Sequence, residues 1–128
     1  MYTVLVVDDE EVVRRVVSRM LNRLGYKVLA AADGTEAVEI FSGQPDDIGC
    51  IIVDLAMPGM DGQQTFLALR QIRPDACILL ATGFEEEEVV RRFKDQGFAG
   101  FIQKPFSLET LAQKLTDVLP SKPGVKTP

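Results

Sequence analysis

Residues 50–62 read CIIVDLAMPGMDG. Cys50, Ile51, Ile52 and Val53 form an unbroken apolar run, Asp54 closes it, and Pro58-Gly59 follows as a turn pair. A strand with one solvated face alternates apolar and polar residues, whereas a continuous run marks a strand buried on both faces. Such strands belong to parallel sheets flanked by helices. An acid at the end of one is costly to bury without a partner, so Asp54 demands an explanation beyond the fold.

The same kind of run recurs along the chain. Residues 2–7 (YTVLVV), 27–31 (KVLAA), 76–81 (ACILLA) and 98–102 (FAGFI) read as strands, with 48–53 as the third of five. Between them lie stretches of helical spacing. Residues 10–24 carry Val13, Val16, Val17, Met20, Leu21 and Leu24 on one expected face. Glu10 with Arg14 and Glu11 with Arg15 stand four apart, in the order that favours a helix, and Gly25 is suited to stop it. Asp33 with Glu36 has the spacing of a capping box, and its helix carries Ala37, Val38, Ile40 and Phe41. Further helices are predicted over 62–72, with Phe66, Leu67 and Leu69 apolar, over 85–96, and over 107–119. The order is βα five times. That predicts a flavodoxin-like (βα)5 fold, a doubly wound parallel sheet with strand order 2-1-3-4-5, in a single domain over 1–119. Residues 120–128 (PSKPGVKTP) read as a flexible tail or truncated linker.

The composition narrows the function. At 128 residues the chain fits one domain. A net charge of −5 and a pI near 4.7 argue against direct nucleic-acid binding and against anionic membranes, which need a basic surface. There is no run of the length a membrane-spanning helix needs and no signal-peptide pattern, so no membrane insertion and a cytoplasmic location are expected. Cys50 and Cys77 lack metal-binding spacing and there is no histidine, so a zinc site is not expected and two buried reduced thiols are.

In open parallel sheets, ligands bind beyond the carboxyl ends of the strands, at the point where the strand order reverses. Asp8, Asp9 and Glu10 follow the first run, Asp54 the third, Thr82 the fourth and Lys104 the fifth. Each has a plainer use taken singly: Asp8 or Asp9 as a helix cap, Asp54 as a turn residue, Thr82 as a cap, Lys104 as a solvated lysine. Together they fall at equivalent topological positions. Clustered carboxylates repel one another unless a cation sits among them. Oxygen donors suit Mg2+, and a lysine opposite suits a phosphoryl group. Carboxylate nucleophile, metal, lysine and hydroxyl make a phosphoryl-transfer site.

With VVDDE at 6–10, VDLAMPGMDG at 53–62, LATGF at 80–84 and FIQKPF at 101–106, the chain resembles a two-component response-regulator receiver domain over residues 2–119. The resemblance implies that Asp54 is the phosphoacceptor, attacking the phosphohistidine of a sensor histidine kinase or a histidine phosphotransfer domain. It implies Mg2+ (or Mn2+) held directly by Asp9, Asp54 and the backbone carbonyl of Ala56, and by Asp8 through water. Lys104 pairs with the phosphoryl oxygens, with a cis Lys104–Pro105 bond, and Thr82 turns its hydroxyl toward the new phosphate. Phe101 stands at the aromatic switch position. The face of helix 85–96, the fifth strand and the last helix then becomes the surface read by an output domain or downstream protein. The domain is not a conventional enzyme, since it catalyses only its own phosphorylation and dephosphorylation. Ala56 and Phe84 near the phosphate cannot orient a hydrolytic water, so a long-lived phosphoryl group is expected. The acidic run at 85–88 complements a helix N-terminus, or makes an acidic docking edge.

Three rival readings share the fold or the chemistry. A flavin-binding protein needs hydroxyls, glycines and amides after the first strand, where this chain has Asp-Asp-Glu. A hydrolase of the aspartyl-phosphate type carries a second acid two residues after the nucleophile, where this chain has Ala56. A degenerate receiver would lack part of the set, which is complete here. A free-standing receiver and one cut from a hybrid sensor kinase both fit, and the Pro-rich tail with LATGF and FIQKPFSLETL leans toward the second.

Overall fold

The computed structural model describes residues 3–55, 62–83, 87–88, 91 and 100–119. Five strands, β1 (Thr3–Val7), β2 (Lys27–Ala31), β3 (Ile48–Asp54), β4 (Ile78–Thr82) and β5 (Gly100–Gln103), form one parallel sheet in the order β2-β1-β3-β4-β5. Four described helices accompany them: α1 (Glu11–Arg23), α2 (Gly34–Gly43), α3 (Gly62–Ile72) and α4 (Leu108–Val118). This is the doubly wound architecture that the continuous apolar runs predict. Of the helix expected over 85–96, Glu87, Glu88 and Arg91 are helical and the rest lies outside the described residues. So do Ala56, Pro58, Gly59, Phe84 and the expected tail. Among the described residues, no helix is long and apolar enough to cross a membrane.

The sheet separates two cores. Leu5, Val7, Ile51, Val53, Ile78 and Leu80 face α2 and α3, where Ala37, Phe41, Phe66 and Leu69 meet them. Val4, Val6, Cys50, Ile52, Leu79, Ala81 and Ile102 face α1 and α4, where Val17, Leu21, Leu111 and Leu115 pack. Alternate residues of one strand thus feed opposite cores, which is why the central strands carry no polar residue until they end. At about 25 cal/mol per Å2, each such leucine or valine contributes roughly 1.5–3 kcal/mol relative to exposure.

Local signals set the helix ends. Asp33 Oδ1 accepts from Glu36 N at 2.8 Å, and Glu36 Oε1 accepts from Ala32 N at 2.7 Å, a variant of the capping box in which Glu36 reaches the residue before the cap. Ser107 Oγ accepts from Thr110 N at the start of α4. Gly25 adopts φ 95°, and the Tyr26 N–H returns to the Leu21 carbonyl, closing α1.

The expected face of α1 needs correction, and α3 shows the same effect. Val16 is 45% exposed and Leu67 43% exposed. The buried stripe of α1 runs through Val13, Val17, Leu21 and Leu24, and Val16 lies beside it with Val12, on the solvent side. On α3 the stripe is Thr65, Phe66 and Leu69. In both cases an apolar residue adjoins the stripe in sequence but lies off its 100° arc.

Candidate functional site

The strands end together, so their last residues and the loops beyond them share one edge. Asp54 is the last residue of β3 and Thr82 the last of β4, one residue further into each strand than the sequence pattern indicates. Asp8 follows β1 and Lys104 follows β5. Register carries the alignment: Val7 pairs with Val53, Asp54 with Ala81, and Thr82 with Gln103. Residues far apart in sequence are therefore brought within reach by backbone pairing alone.

Asp8 and Asp54 are each only 4% exposed. Two carboxylates that deep repel each other and lose hydration, so a cation must compensate. Lys104 supplies it. Its Nζ lies 3.1 Å from Asp8 Oδ2 and 3.3 Å from Asp54 Oδ1. Burial alone lowers the lysine pKa, but Asp54 and Asp8 outweigh it, and the net shift is upward from 10.5. Lys104 is thus held as a cation. Its backbone N–H donates to the Thr82 carbonyl at 2.7 Å, tying the ends of β4 and β5 together. The Lys104–Pro105 bond is cis.

Asp9 is exposed and completes the acidic set. Asp8, Asp9 and Asp54 each offer a carboxylate oxygen, and the three oxygens lie within 4.8 Å of one another. An all-oxygen donor set with an open side is what a hard divalent cation needs. Both Asp8 oxygens are already engaged, since Oδ1 accepts from Glu10 N at 2.9 Å and Oδ2 from Lys104. The geometry therefore gives Asp8 two jobs: it fixes the turn into α1 and it anchors the lysine. The N-cap of α1 is Glu10, which makes no side-chain cap bond of its own.

Two supporting residues have roles that the sequence pattern did not reveal. Arg14 reads as a partner for Glu10, yet its Nη1 donates to the Asp8 backbone carbonyl at 2.7 Å. That bond holds the acidic loop against α1. Gly62 reads as a turn residue, but its neighbours show a stricter need. A Cβ at Gly62 would lie 2.4 Å from Leu55 Cα and 2.5 Å from the Asp54 carbonyl oxygen. Only glycine lets α3 start this close to the end of β3. Neither role has a local sequence signal, because each depends on which backbone happens to lie opposite.

Phe101 is half-buried in β5, in register with Leu80, and packs against the core beneath α2 and α3. Lys114 of α4 places its Nζ 5.3 Å from the ring centroid, a cation–π contact. An open cavity of about 670 Å3 lies here, lined by Phe101, Lys104, Pro105, Phe106, Thr110 and Lys114 among others. Lys104 lies on both this cavity and the acidic site.

The profile of the response regulator receiver domain matches residues 4–116. The chain belongs to that family. It is therefore a signalling domain of two-component systems. It is 37% identical over 117 residues to the sensor kinase CckA of Brucella abortus (strain 2308), an alignment that covers 91% of this chain and 12% of that kinase. The receiver thus corresponds to a small part of that relative's length. The structure of the chemotaxis protein CheY4 of Vibrio cholerae superposes with a TM-score of 0.85 at 37% identity, covering 93% of this chain and 99% of that one. CheY in the CheX-CheY-BeF3-Mg2+ complex from Borrelia burgdorferi superposes at 0.86 with 25% identity, covering 91% and 88%.

Proposed function

We propose that this receiver takes a phosphoryl group onto Asp54 from a phosphohistidine of a sensor histidine kinase or histidine phosphotransfer domain. The observation that carries this is the Lys104 ammonium bridging two buried carboxylates at the strand ends. A carboxylate oxygen of Asp54 attacks phosphorus, the P–N bond breaks, and the imidazole leaves with the electron pair. Asp54 changes from a monoanion to an acyl phosphate carrying about −1.5 to −2 charge, with three strong acceptor oxygens. Lys104 is already charged and within reach of Asp54, so a short movement brings it to the incoming oxygens. Thr82, at the end of the neighbouring strand, offers the new phosphate its hydroxyl.

Asp9 and Asp54 would hold Mg2+ (or Mn2+) directly, with the Ala56 carbonyl as a further donor. Asp8 would act through a metal-bound water, in keeping with both of its oxygens being engaged. When bound, the ion neutralises charge on the phosphoryl oxygens. The Borrelia complex, with Mg2+ and BeF3 on the same fold, supports this assignment.

Partner access follows from the surface. Val12, 74% exposed, and Val16 form an apolar pair on α1, with Arg15 and Arg19 also exposed. They begin one turn beyond Asp8 and Asp9, where a kinase or phosphotransfer domain must approach. Output is expected on the opposite flank. Drawing Thr82 and Lys104 toward a phosphate pulls on β4 and β5 through the Lys104 N–Thr82 O bond, and biases Phe101 and α4 between two packings.

The test is incubation with acetyl phosphate and Mg2+, read by intact mass. A gain of one phosphoryl group is expected, lost with EDTA and lost in Asp54→Ala. Retention of the gain in Asp54→Ala refutes the assignment. So does failure of the folded wild-type protein to be labelled by both acetyl phosphate and a phosphorylated histidine phosphotransfer domain.

A further inference from the structure

Cys50 and Cys77 are 27 residues apart in sequence, and read there as unrelated thiols. The sheet makes them neighbours. Ile51 of β3 is in register with Ile78 of β4, so Cys50 stands opposite Cys77 one step earlier. The backbone agrees: Ile51 N donates to the Cys77 carbonyl at 2.9 Å. Both side chains turn to the core beneath α1 and α4. The two thiols are close enough to shift each other's pKa, upward for Cys50 and downward for Cys77. Cys77 in turn donates to the Val118 carbonyl, at 3.5 Å, at the end of α4.

The two thiols are chemically unequal. Cys50 is wholly buried, but Cys77, expected to be buried too, is partly open to solvent because it lies just before β4 begins. The neighbouring Cys50 thiol stabilises a Cys77 thiolate and Arg70 adds to this, against the opposing effect of burial. For Cys50, the neighbouring Cys77 and burial both push its own pKa well up. Arg70 stacks on Phe66 at 4.9 Å, and its buried Nε has no hydrogen-bond partner among the described residues. A partly exposed thiol beside a wholly buried second thiol is the arrangement of an attacking and a resolving cysteine.

We propose that Cys50 and Cys77 are a redox modification site, closing to an intrachain disulfide on exposure to a hydroperoxide, with Cys77 attacking first. The Cys77 thiolate attacks one peroxide oxygen; an S–O bond forms, the O–O bond breaks, and hydroxide leaves to become water. The Cys50 sulfur then attacks the sulfenic sulfur of Cys77. The S–S bond forms, the S–O bond breaks, and a second water leaves with the Cys50 proton. Two electrons pass from the thiol pair to the peroxide.

Geometry permits the bond and makes it reversible. Adjacent strands lie about 4.8 Å apart, inside the roughly 4.4–6.8 Å Cα window for a disulfide. The Cβ atoms of parallel register mates must still converge by up to about 1 Å to reach the usual spacing near 3.8 Å. A bond closed under that strain is readily reduced, as regulatory disulfides are. It would clamp β3 and β4 at the end of the sheet remote from Asp54 and Thr82.

The experiment treats the purified full chain with hydrogen peroxide, then blocks free thiols with maleimide under denaturing conditions. The expected result is a monomer that has lost two hydrogens, takes up no maleimide, and recovers two labels after dithiothreitol. Digestion should give one peptide pair joining Cys50 to Cys77. In Cys50→Ala the reaction stops at a sulfenic acid on Cys77, trapped by dimedone. In Cys77→Ser the loss of the Cys50 thiol slows at least about tenfold. Circular dichroism on both variants establishes that each is folded, and Cys50→Ser replaces Cys50→Ala if that one is not. Disulfide-linked dimers, stepwise over-oxidation of Cys77 with Cys50 still labelled, equal loss of the Cys50 thiol in Cys77→Ser, or no reaction of the wild-type protein would each overturn the proposal.

Discussion

Replacing Gly62 with alanine tests how tightly the site depends on one close approach. The added Cβ would sit 2.4 Å from Leu55 Cα, 2.5 Å from the Asp54 carbonyl oxygen and 3.0 Å from Leu55 C. Carbon atoms prefer about 3.5–4.0 Å, so something must move by about 1 Å. All three obstructing atoms are backbone, so no side-chain rotation relieves them. The end of β3 is held by Asp54 pairing with Ala81 and by the Leu55 N–H on the Ala81 carbonyl at 3.0 Å. The first turn of α3 must therefore lift, stretching the 3.3 Å bond from Gly62 N to the Leu55 carbonyl. Overpacking costs about 1–3 kcal/mol and the weakened bond about 1. Removing a glycine from a helix returns up to about 1 kcal/mol. The net is a loss of about 2 kcal/mol, or a Tm drop of roughly 8 °C for a domain of this size. Gly43→Ala is the comparator: its Cβ would meet nothing within 4 Å, so its Tm should hold or rise. Calorimetry on both variants decides it. If Gly62→Ala melts within about 2 °C of the wild type, the close approach of α3 to the end of β3 carries no such cost and the reasoning fails.

Lys104→Met should lower stability at neutral pH by about 1–2 kcal/mol, a figure reduced because the lysine is partly exposed; urea denaturation measures it. Added Mg2+ should then stabilise the variant more than the wild type, since the acidic cluster has lost the Lys104 bridge. The alkaline limb gives an independent check. The folded pKa of Lys104 is raised above its ordinary 10.5, so its stabilisation is complete below that value and is lost as pH rises through the folded pKa. Wild-type Tm should fall faster than that of Lys104→Met above pH 10.5, and parallel curves would refute the ion pairing. Asp33→Ala should cost about 1 kcal/mol through loss of the bond from Glu36 N to Asp33 Oδ1, seen as a lowered Tm with no change in phosphorylation. Ala56→Asn or Ala56→Glu should speed decay of the phosphorylated protein several-fold, which radiolabel loss would follow; unchanged decay in both ends the idea that apolar residues near the phosphate prolong its life.

The parts of the molecule legible in sequence are those set by local physics. Strand β2 and helix α3 fall where their patterns put them, because their neighbours in sequence also set their boundaries. The strands β3, β4 and β5 each run one residue further at the carboxyl end than their patterns indicate, and β4 starts two residues later. At the carboxyl ends, a polar residue ends the apolar pattern while the backbone continues to pair. Asp54 and Thr82 belong to strands because Ala81 and Gln103 lie opposite, and no pattern within 54 or 82 can say so. The misplacement of Val16 has a similar origin, since six apolar residues on α1 offer more than one stripe and only the sheet selects among them.

Chemistry at this site follows from topology more than from any motif. The chain leaves β1 toward β2 on one side and reaches β3 on the other, so the loops after β1 and β3 diverge and open a crevice between them. Asp8 and Asp9 line one wall and Asp54 the other. Lys104 enters from β5, two strands beyond β3, and reaches across to both walls. That reach explains why a buried acid at the end of CIIVD is tolerable before any phosphate arrives, and it also explains how a phosphate could be noticed elsewhere. A phosphoryl group on Asp54, as proposed, would compete with Asp8 for the same ammonium, and the ammonium shares its backbone with the wall of the Phe101 cavity. The same parallel pairing, at the other end of β3 and β4, sets Cys50 against Cys77. Register places both pairs, and a shift of one residue between β3 and β4 would separate the thiols and move Asp54 away from its lysine together.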